Sequence, residues 1–283
     1  MSGSSPAVPL LEVADLHVRF RTRTGVVDAV RGISFIIGRE RVGIVGESGS
    51  GKTMTGRAIL RLVRPPGMVE ASRIALDGAD LLPLTERQMR RIRGERIAMV
   101  MQDPKFSLNP VMRVGRQLVE ALRVHANVSR AEARRRAIAM LEAVHIRDPE
   151  RVFRAYAHEL SGGMGQRVMI AMMLIPGPDL LIADEPTSAL DVTIRTQVLG
   201  IMDALVRERG MGLILISHDL NLVASFCDRV LVMYAGRIVE ELSARHLAEA
   251  RHPYTRGLLN CLPRIGGNRA PLPVLERDPA WSA

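Results

Sequence analysis

Cysteine, lysine, aromatic residues and long apolar runs are all scarce in this chain of 283 residues. The two cysteines, Cys227 and Cys261, are far apart and lack C-x-x-C spacing. That pattern argues against a disulfide framework or a cysteine zinc site and fits a reducing compartment. Aromatic residues make up 3% of the chain, leaving few platforms on which nucleic-acid bases could stack. The longest notable stretch without charge, residues 168–178, holds 11 residues and ends in prolines. A bilayer span needs roughly 20 apolar residues, so any membrane role is expected to be peripheral. Residues 1–9 show no basic segment followed by an apolar one, and Glu12 and Asp15 come soon after, so no secretory signal peptide is expected.

The net charge is +9, from 39 basic and 30 acidic residues. Such a balance ordinarily raises nucleic acid or an anionic surface as a partner. Here the arginines are interspersed with acids, and the densest run, Arg134-Arg135-Arg136, falls in a helix-forming segment. A solvated helix face is the expectation there, and no nucleic-acid partner is expected. The length suffices for one large α/β core with an inserted lobe and a tail.

Only two of the 39 basic residues are lysines, Lys52 and Lys105. Lys52 lies in Gly46-Glu47-Ser48-Gly49-Ser50-Gly51-Lys52-Thr53, which fits G-x-x-x-x-G-K-[ST], the phosphate-binding P-loop. Residues 41–45 read as a buried strand leading in, and residues 52–63 as a helix leading out, which is the context the motif requires. Glycines let the backbone aim its N–H groups at phosphates, and the helix N-terminus adds partial positive charge. Lys52 would reach the β- and γ-phosphates, and the Thr53 hydroxyl would join the shell of a Mg²⁺ ion otherwise held by phosphate oxygens and water. A compact ammonium suits that position where a forked guanidinium does not.

Before this loop, residues 10–20 and 26–37 alternate apolar and polar and read as an antiparallel pair. After it, residues 64–67 read as a break, 73–76 as a short strand, and Asp77-Gly78 as a turn. Thr85 is expected to cap a short basic helix reaching Ile92, and residues 96–101 read as a buried strand. From 103 to 158 the pattern is helical, with one helix over 114–125 and a second opened by a Ser129-x-x-Glu132 capping box. A methionine-rich helix starts near Gly163 and closes at Pro176. Strands over 180–183, 213–216, 230–234 and 237–241 then alternate with helices over 191–209 and 220–226. Such alternation predicts a mostly parallel sheet with crossover helices. The tail from Ser243 carries two short helical patterns, then an irregular Pro- and Gly-rich end over 263–283.

Residues 180–185 form an apolar strand ending in Asp184 and Glu185. Successive strand side chains face opposite ways, so the two carboxylates are expected to divide the labour, one near a metal and one over a water. Between the P-loop and this strand lies Leu160-Ser161-Gly162-Gly163-Met164-Gly165-Gln166-Arg167. With that segment the sequence resembles, nearly along its full length, the ATPase subunits of ATP-binding-cassette transporters, whose signature reads LSGGQ. In this resemblance Gln102 is the Q-loop, Asp184-Glu185 the Walker B pair, Ser188-Ala189-Leu190-Asp191 the D-loop and His218 the switch histidine. Gln102-Asp103-Pro104, Ser107-Leu108-Asn109-Pro110, His252-Pro253-Tyr254-Thr255 and Met164 in the signature are similar to the dipeptide and oligopeptide importer branch.

The resemblance implies an α/β P-loop NTPase core with a mostly parallel sheet, an N-terminal antiparallel β subdomain and an inserted helical lobe. It divides the chain into a nucleotide-binding domain over 1–242, with the lobe at about 103–160, and a tail over 243–283. It implies ATP hydrolysis with Mg²⁺, powering import of peptides or similar small solutes. Glu185 is the expected base or water positioner, with His218 on the γ-phosphate. Gln102 is expected to touch both Mg²⁺ and the moving lobe, and Thr53, Gln102 and Asp184 to serve the metal. From a second subunit, Ser161, Gly162, Gly163, Met164 and Asp191 would complete each site, so the implied form is a head-to-tail dimer of ATPase subunits. Transmembrane permease subunits and, indirectly, an extracytoplasmic solute-binding protein are the implied partners, at the cytoplasmic face of the inner membrane. Thr24 stands where the family usually has an adenine-stacking aromatic, which leaves Phe20 as the candidate. Only Cys261 stands where some relatives carry an iron-sulfur cysteine cluster, so no cluster is expected. The alternative suggested by the basic composition is a nucleic-acid maintenance ATPase of the same superfamily, although its long coiled-coil insertions, zinc cysteines and paired cassettes are not seen in the sequence. A P-loop kinase or GTPase would leave the Ser161 segment without a task.

Overall fold

A computed structural model of the chain describes residues 8–101, 107–188, 190–261 and 281. Its strands in chain order are β1 (Leu11–Thr22), β2 (Gly25–Ile37), β3 (Arg41–Val45), β4 (Gly67–Glu70), β5 (Arg73–Leu76), β6 (Ala79–Asp80), β7 (Ile97–Val100), β8 (Leu180–Asp184), β9 (Gly212–Ser217), β10 (Arg229–Tyr234) and β11 (Arg237–Ser243). Its α-helices are α1 (Lys52–Ile59), α2 (Glu86–Glu95), α3 (Val114–Arg123), α4 (Arg130–Ala143), α5 (Pro149–Arg154), α6 (Gly162–Leu174), α7 (Val192–Arg209), α8 (Leu220–Phe226) and α9 (Pro253–Asn260). The chain forms two compact units, one from Met1–Pro83 with Ile214–Ala283 and one from Leu84–Leu213. Among the described residues, no helix is long and apolar enough to cross a membrane.

In the first unit β1 and β2 pair antiparallel, from Leu11 opposite Ile37 to Thr22 opposite Gly25. The turn is therefore Arg23-Thr24, tighter than the five-residue separator the sequence suggested. Alternation buries Leu11 and Val13, and a register shift at Ala14-Asp15 then returns Leu16 and Val18 to the same buried side. Asp15 sits at φ 51 and donates its N–H to Ser34 Oγ at 2.9 Å, the behaviour of an inserted bulge residue. Strand β1 also pairs antiparallel with β4 and β5. The sequence suggested a break at Gly67, not β4. The glycine serves packing instead, because a Cβ there would lie 2.7 Å from the Phe20 ring.

Strand β3 runs parallel to β10, and β10 runs antiparallel to β11. Arg41 clamps the start of β10, its Nη2 lying 2.6 Å from Asp228 Oδ1. Helix α8 lies so close to β3 that a Cβ on Gly43 would fall 2.1 Å from Val223 Cγ1 and 3.3 Å from Cys227 Sγ. Gly43→Ala should therefore destabilise the protein by about 1–3 kcal/mol through overpacking. A thermal melt checks this, and an unchanged midpoint would contradict the contact. Burial pushes the Cys227 thiol up to about 12, so it stays protonated and unreactive at neutral pH.

Helix α1 ends four residues before the expected Val63. Arg61 adopts φ 52 just past the Leu60 cap, with Arg61 N–H donating to Ala58 O at 2.9 Å and Leu62 N–H to Arg57 O at 2.8 Å. These two bonds make a Schellman ending, built here with arginine where glycine is usual.

In the second unit β7 and β8 pair parallel, and all residues of both strands are buried. Arg96 and Asp179 form an ion pair at their entrance. Thr85 caps α2 in a reciprocal box with Gln88. Helix α3 buries Val114, Leu118 and Leu122, and α4 buries Ala133, Ala137, Met140 and Leu141. Ser129 caps α4 by accepting the Glu132 N–H at 3.2 Å, while the Glu132 carboxylate takes Arg135 and Arg136. Arg134 pairs with Glu150. The arginine run is thus a solvated face threaded with carboxylates. The α/β class holds, with an antiparallel sheet built from the N-terminal part of the sequence and parallel pairing of β3 with β10 and of β7 with β8.

Candidate nucleotide site

The expected P-loop lies in the first unit between β3 and α1. Gly46, Gly49 and Gly51 adopt φ 153, 82 and 103, a left-handed region that strongly favours glycine. Space enforces two of them as well: a Cβ on Gly46 would fall 2.1 Å from Met233 O, and one on Gly51 would fall 2.4 Å from Ala29 O. Lys52 is buried at 6% exposure, and its Nζ donates to Gly46 O and Glu47 O, both at 2.8 Å. The ammonium thus sits inside the curve of the loop. Thr55 N–H and Thr55 Oγ1 both donate to Gly51 O, closing the first turn of α1 at 2.9 and 3.1 Å. Gly236 N–H, in the turn between β10 and β11, donates to Ser50 O at 3.1 Å. Thr53 is half-buried, while Ser48 and Gly49 are exposed. A cradle of N–H groups at a helix N-terminus with one buried lysine suits the phosphates of a nucleotide. Among the described residues, no group of three His, Cys, Asp or Glu could hold a metal by itself.

His218, in the same unit, is exposed just beyond the end of β9. Its position is fixed by its neighbours: Asp219 N–H donates to Ser217 Oγ at 3.0 Å, and Asp219 Oδ1 caps α8 by accepting Leu222 N–H at 3.0 Å. Phe20 pairs with Val27 and with Gly67 across the antiparallel sheet. Sequence reasoning did not assign Tyr254 a role in this site. Its hydroxyl accepts the Glu47 N–H at 2.9 Å. The only prior signal was its place in the His252-Pro253-Tyr254-Thr255 phrase.

In the second unit, Asp184 is the last residue of β8 and is 6% exposed. Glu185 has already left the strand, at φ 47, so its direction is set by the turn and not by strand alternation as the sequence suggested. Ser188 donates its N–H and its hydroxyl to Glu185 O at 3.3 and 3.2 Å, and Gln166 donates its amide to Pro186 O. A left-handed non-glycine residue held by its surroundings is a feature that clusters at functional sites. Ser161 caps α6 by accepting Met164 N–H at 3.4 Å, and Asp191 caps α7 by accepting Ile194 N–H at 3.0 Å. A Cβ on Gly163 would lie 2.8 Å from Ile194 Cγ2, which brings the two helix starts together. Ser161, Gly162, Gly163, Met164 and Asp191 consequently line one cleft of about 690 Å³, with Arg147, Arg151 and Arg167 on its walls. Asp148 and Asp191 place carboxylates in the same lining, and Arg167 is engaged with His145 O and Gln197 Oε1. Gln102 lies outside the described residues.

The sequence pattern of the ABC transporter family matches residues 30–188. A probable peptide ABC transporter ATP-binding protein, y4tR of Sinorhizobium fredii, is 50% identical over 97% of this chain and 83% of its own length. The oligopeptide transport ATP-binding protein OppD of Bacillus subtilis is 49% identical over 90% of this chain and 72% of its own. A solved dimeric structure of the ATP-binding cassette MJ0796, in a post-hydrolysis state bound to ADP and Pi, superposes with TM-score 0.74 at 26% identity, covering 83% of this chain and 99% of that one. The nucleic-acid alternative finds no support among these relatives. The glycine cradle around a buried lysine, the acid-ended strand and the signature helix are joined by identity along nearly the whole chain, so this chain belongs to the ABC transporter family.

Proposed function

We propose that the chain hydrolyses ATP to power uptake of peptides or similar small solutes through a membrane permease. The observation that carries this reading is Lys52, buried and held on two carbonyls within a loop where Gly46 and Gly51 leave no room for a side chain. Lys52 and the loop amides would take the β- and γ-phosphates, with charge spread over the γ-phosphoryl oxygens as the bond to ADP breaks. A bound Mg²⁺ would neutralise part of that charge, with Thr53, Gln102 and Asp184 as its protein partners. Glu185 would orient the attacking water and receive its proton, and His218 would contact the γ-phosphate. Ser161, Gly162, Gly163, Met164 and Asp191 would meet the nucleotide of a second subunit, as their shared cleft allows. Phe20 remains the candidate for stacking on adenine.

The domain reading is a nucleotide-binding domain over 1–242, a lobe at about 103–160 that receives the permease, and a tail over 243–283. The subunit would work at the cytoplasmic face of the inner membrane, with an extracytoplasmic solute-binding protein delivering cargo to the permease. The relatives named for peptide and oligopeptide transport support peptide as cargo. Affinity purification of the tagged chain from its native membranes should recover integral membrane permease subunits, and the recovered complex in vesicles should take up labelled short peptides only with MgATP. Recovery of a nucleic-acid complex, or of no integral membrane protein, would refute the reading.

A further inference from the structure

The segment after β11 reaches into the phosphate-binding loop. Tyr254 is fully buried, and its hydroxyl accepts the Glu47 N–H at 2.9 Å across 207 residues of sequence. The carbonyl of the same Glu47 accepts Lys52 Nζ at 2.8 Å. Residue 47 is thus gripped on both sides, by a phenol on its N–H and by the functional ammonium on its C=O.

The tyrosine is itself held in place. Its ring tilts against Tyr234, the last residue of β10, with centroids 4.5 Å apart, and against Trp281 at 6.0 Å. His252 Nδ1 accepts the Tyr254 N–H at 3.2 Å, capping α9. Glu240 on β11 fixes that cap by accepting the N–H groups of Arg251 and His252 at 2.7 and 3.2 Å. Burial alone would push the Glu240 carboxyl up, but the hydrogen bonds it accepts outweigh this and hold it below the usual carboxylate range.

We infer that Tyr254 is a positioning residue for the phosphate-binding loop: its hydroxyl fixes the Glu47 peptide, and with it the carbonyl on which Lys52 rests. The segment after β11 thereby sets how readily the loop accepts the nucleotide's phosphates. The inference rests on the ATP reading above. Its physical basis is preorganisation: a loop ordered before the ligand arrives spends less of the binding energy on ordering. Without the hydroxyl, a partly buried N–H loses its acceptor and the loop populates other conformations that satisfy it. Apparent affinity then falls by the fraction of loops still competent.

Tyr254→Phe keeps the ring and removes only the hydroxyl. MgATP affinity and KM should weaken about tenfold, while kcat at saturating ATP stays within about twofold, because no reacting group is touched. Unchanged affinity and KM with a lowered melting temperature would make the hydroxyl a stability element only and overturn the inference. Should the variant fail to fold, amide exchange of the wild-type chain decides: the Glu47 N–H should exchange at least about a hundredfold more slowly than an open loop amide. Exchange at the open-loop rate would refute the contact. If wild-type protein bound no MgATP, the nucleotide reading would fall, and the same exchange measurement would still report whether Tyr254 fixes the loop.

Discussion

Lys52→Ala is expected to remove ATP turnover, with kcat/KM falling at least about a hundred- to a thousandfold, the loss typical of deleting one preorganised donor to a developing negative charge. The side chain is 6% exposed and bonded to two loop carbonyls, so no water-borne cation can take its place at comparable cost. Lys52→Arg should fail nearly as badly, because a planar guanidinium does not fit a pocket shaped to a point charge. Fluorescent-nucleotide titration and phosphate release measure both variants. Retention of more than a tenth of wild-type turnover by Lys52→Ala would contradict the placement of the phosphates at this loop.

The second large effect is expected at Glu185. Glu185→Gln keeps size and hydrogen bonding but removes the proton acceptor, so MgATP should bind with near wild-type affinity while hydrolysis slows about a hundred- to ten-thousandfold. Three observations bear on this site: Glu185 follows the buried end of β8, occupies φ 47 and is held by Ser188 on its carbonyl. Single-turnover hydrolysis of bound ATP reads the chemical step directly. Undiminished turnover would remove Glu185 from the role of base and leave Asp184 and His218 to be tested in its place.

Local patterns carried most of the fold into view. Alternation predicted β1 and β2, the P-loop context predicted β3 and α1, and cap residues such as Thr85 and Ser129 marked helix starts. The failures share a cause, because each depends on a neighbour distant in sequence or on a residue in an unusual conformation. Arg61 ends α1 in a left-handed conformation that glycine would have announced. Gly67 reads as a break but is a strand residue made small by Phe20, brought beside it by the sheet. Glu185 leaves its strand one residue earlier than alternation assumed.

Of the candidate site, the P-loop was legible as a contiguous motif. The cleft joining Ser161 to Asp191 was legible only as two motifs, and of its wall arginines only Arg167 falls in the signature segment, while Arg147 and Arg151 lie in no motif. The bond from Glu47 to Tyr254 spans 207 residues, and although each end lies in a recognisable phrase, neither phrase pairs it with the other. Such contacts are fixed by tertiary packing, which sequence periodicity does not encode.

Specific ATPase activity measured against protein concentration tests the central claim most directly. If each nucleotide pocket is completed by the signature helix of a second subunit, activity per subunit should rise with concentration and level off as dimers form, and it should vanish on dilution to monomers. Constant specific activity down to concentrations at which light scattering finds only monomer would contradict the account.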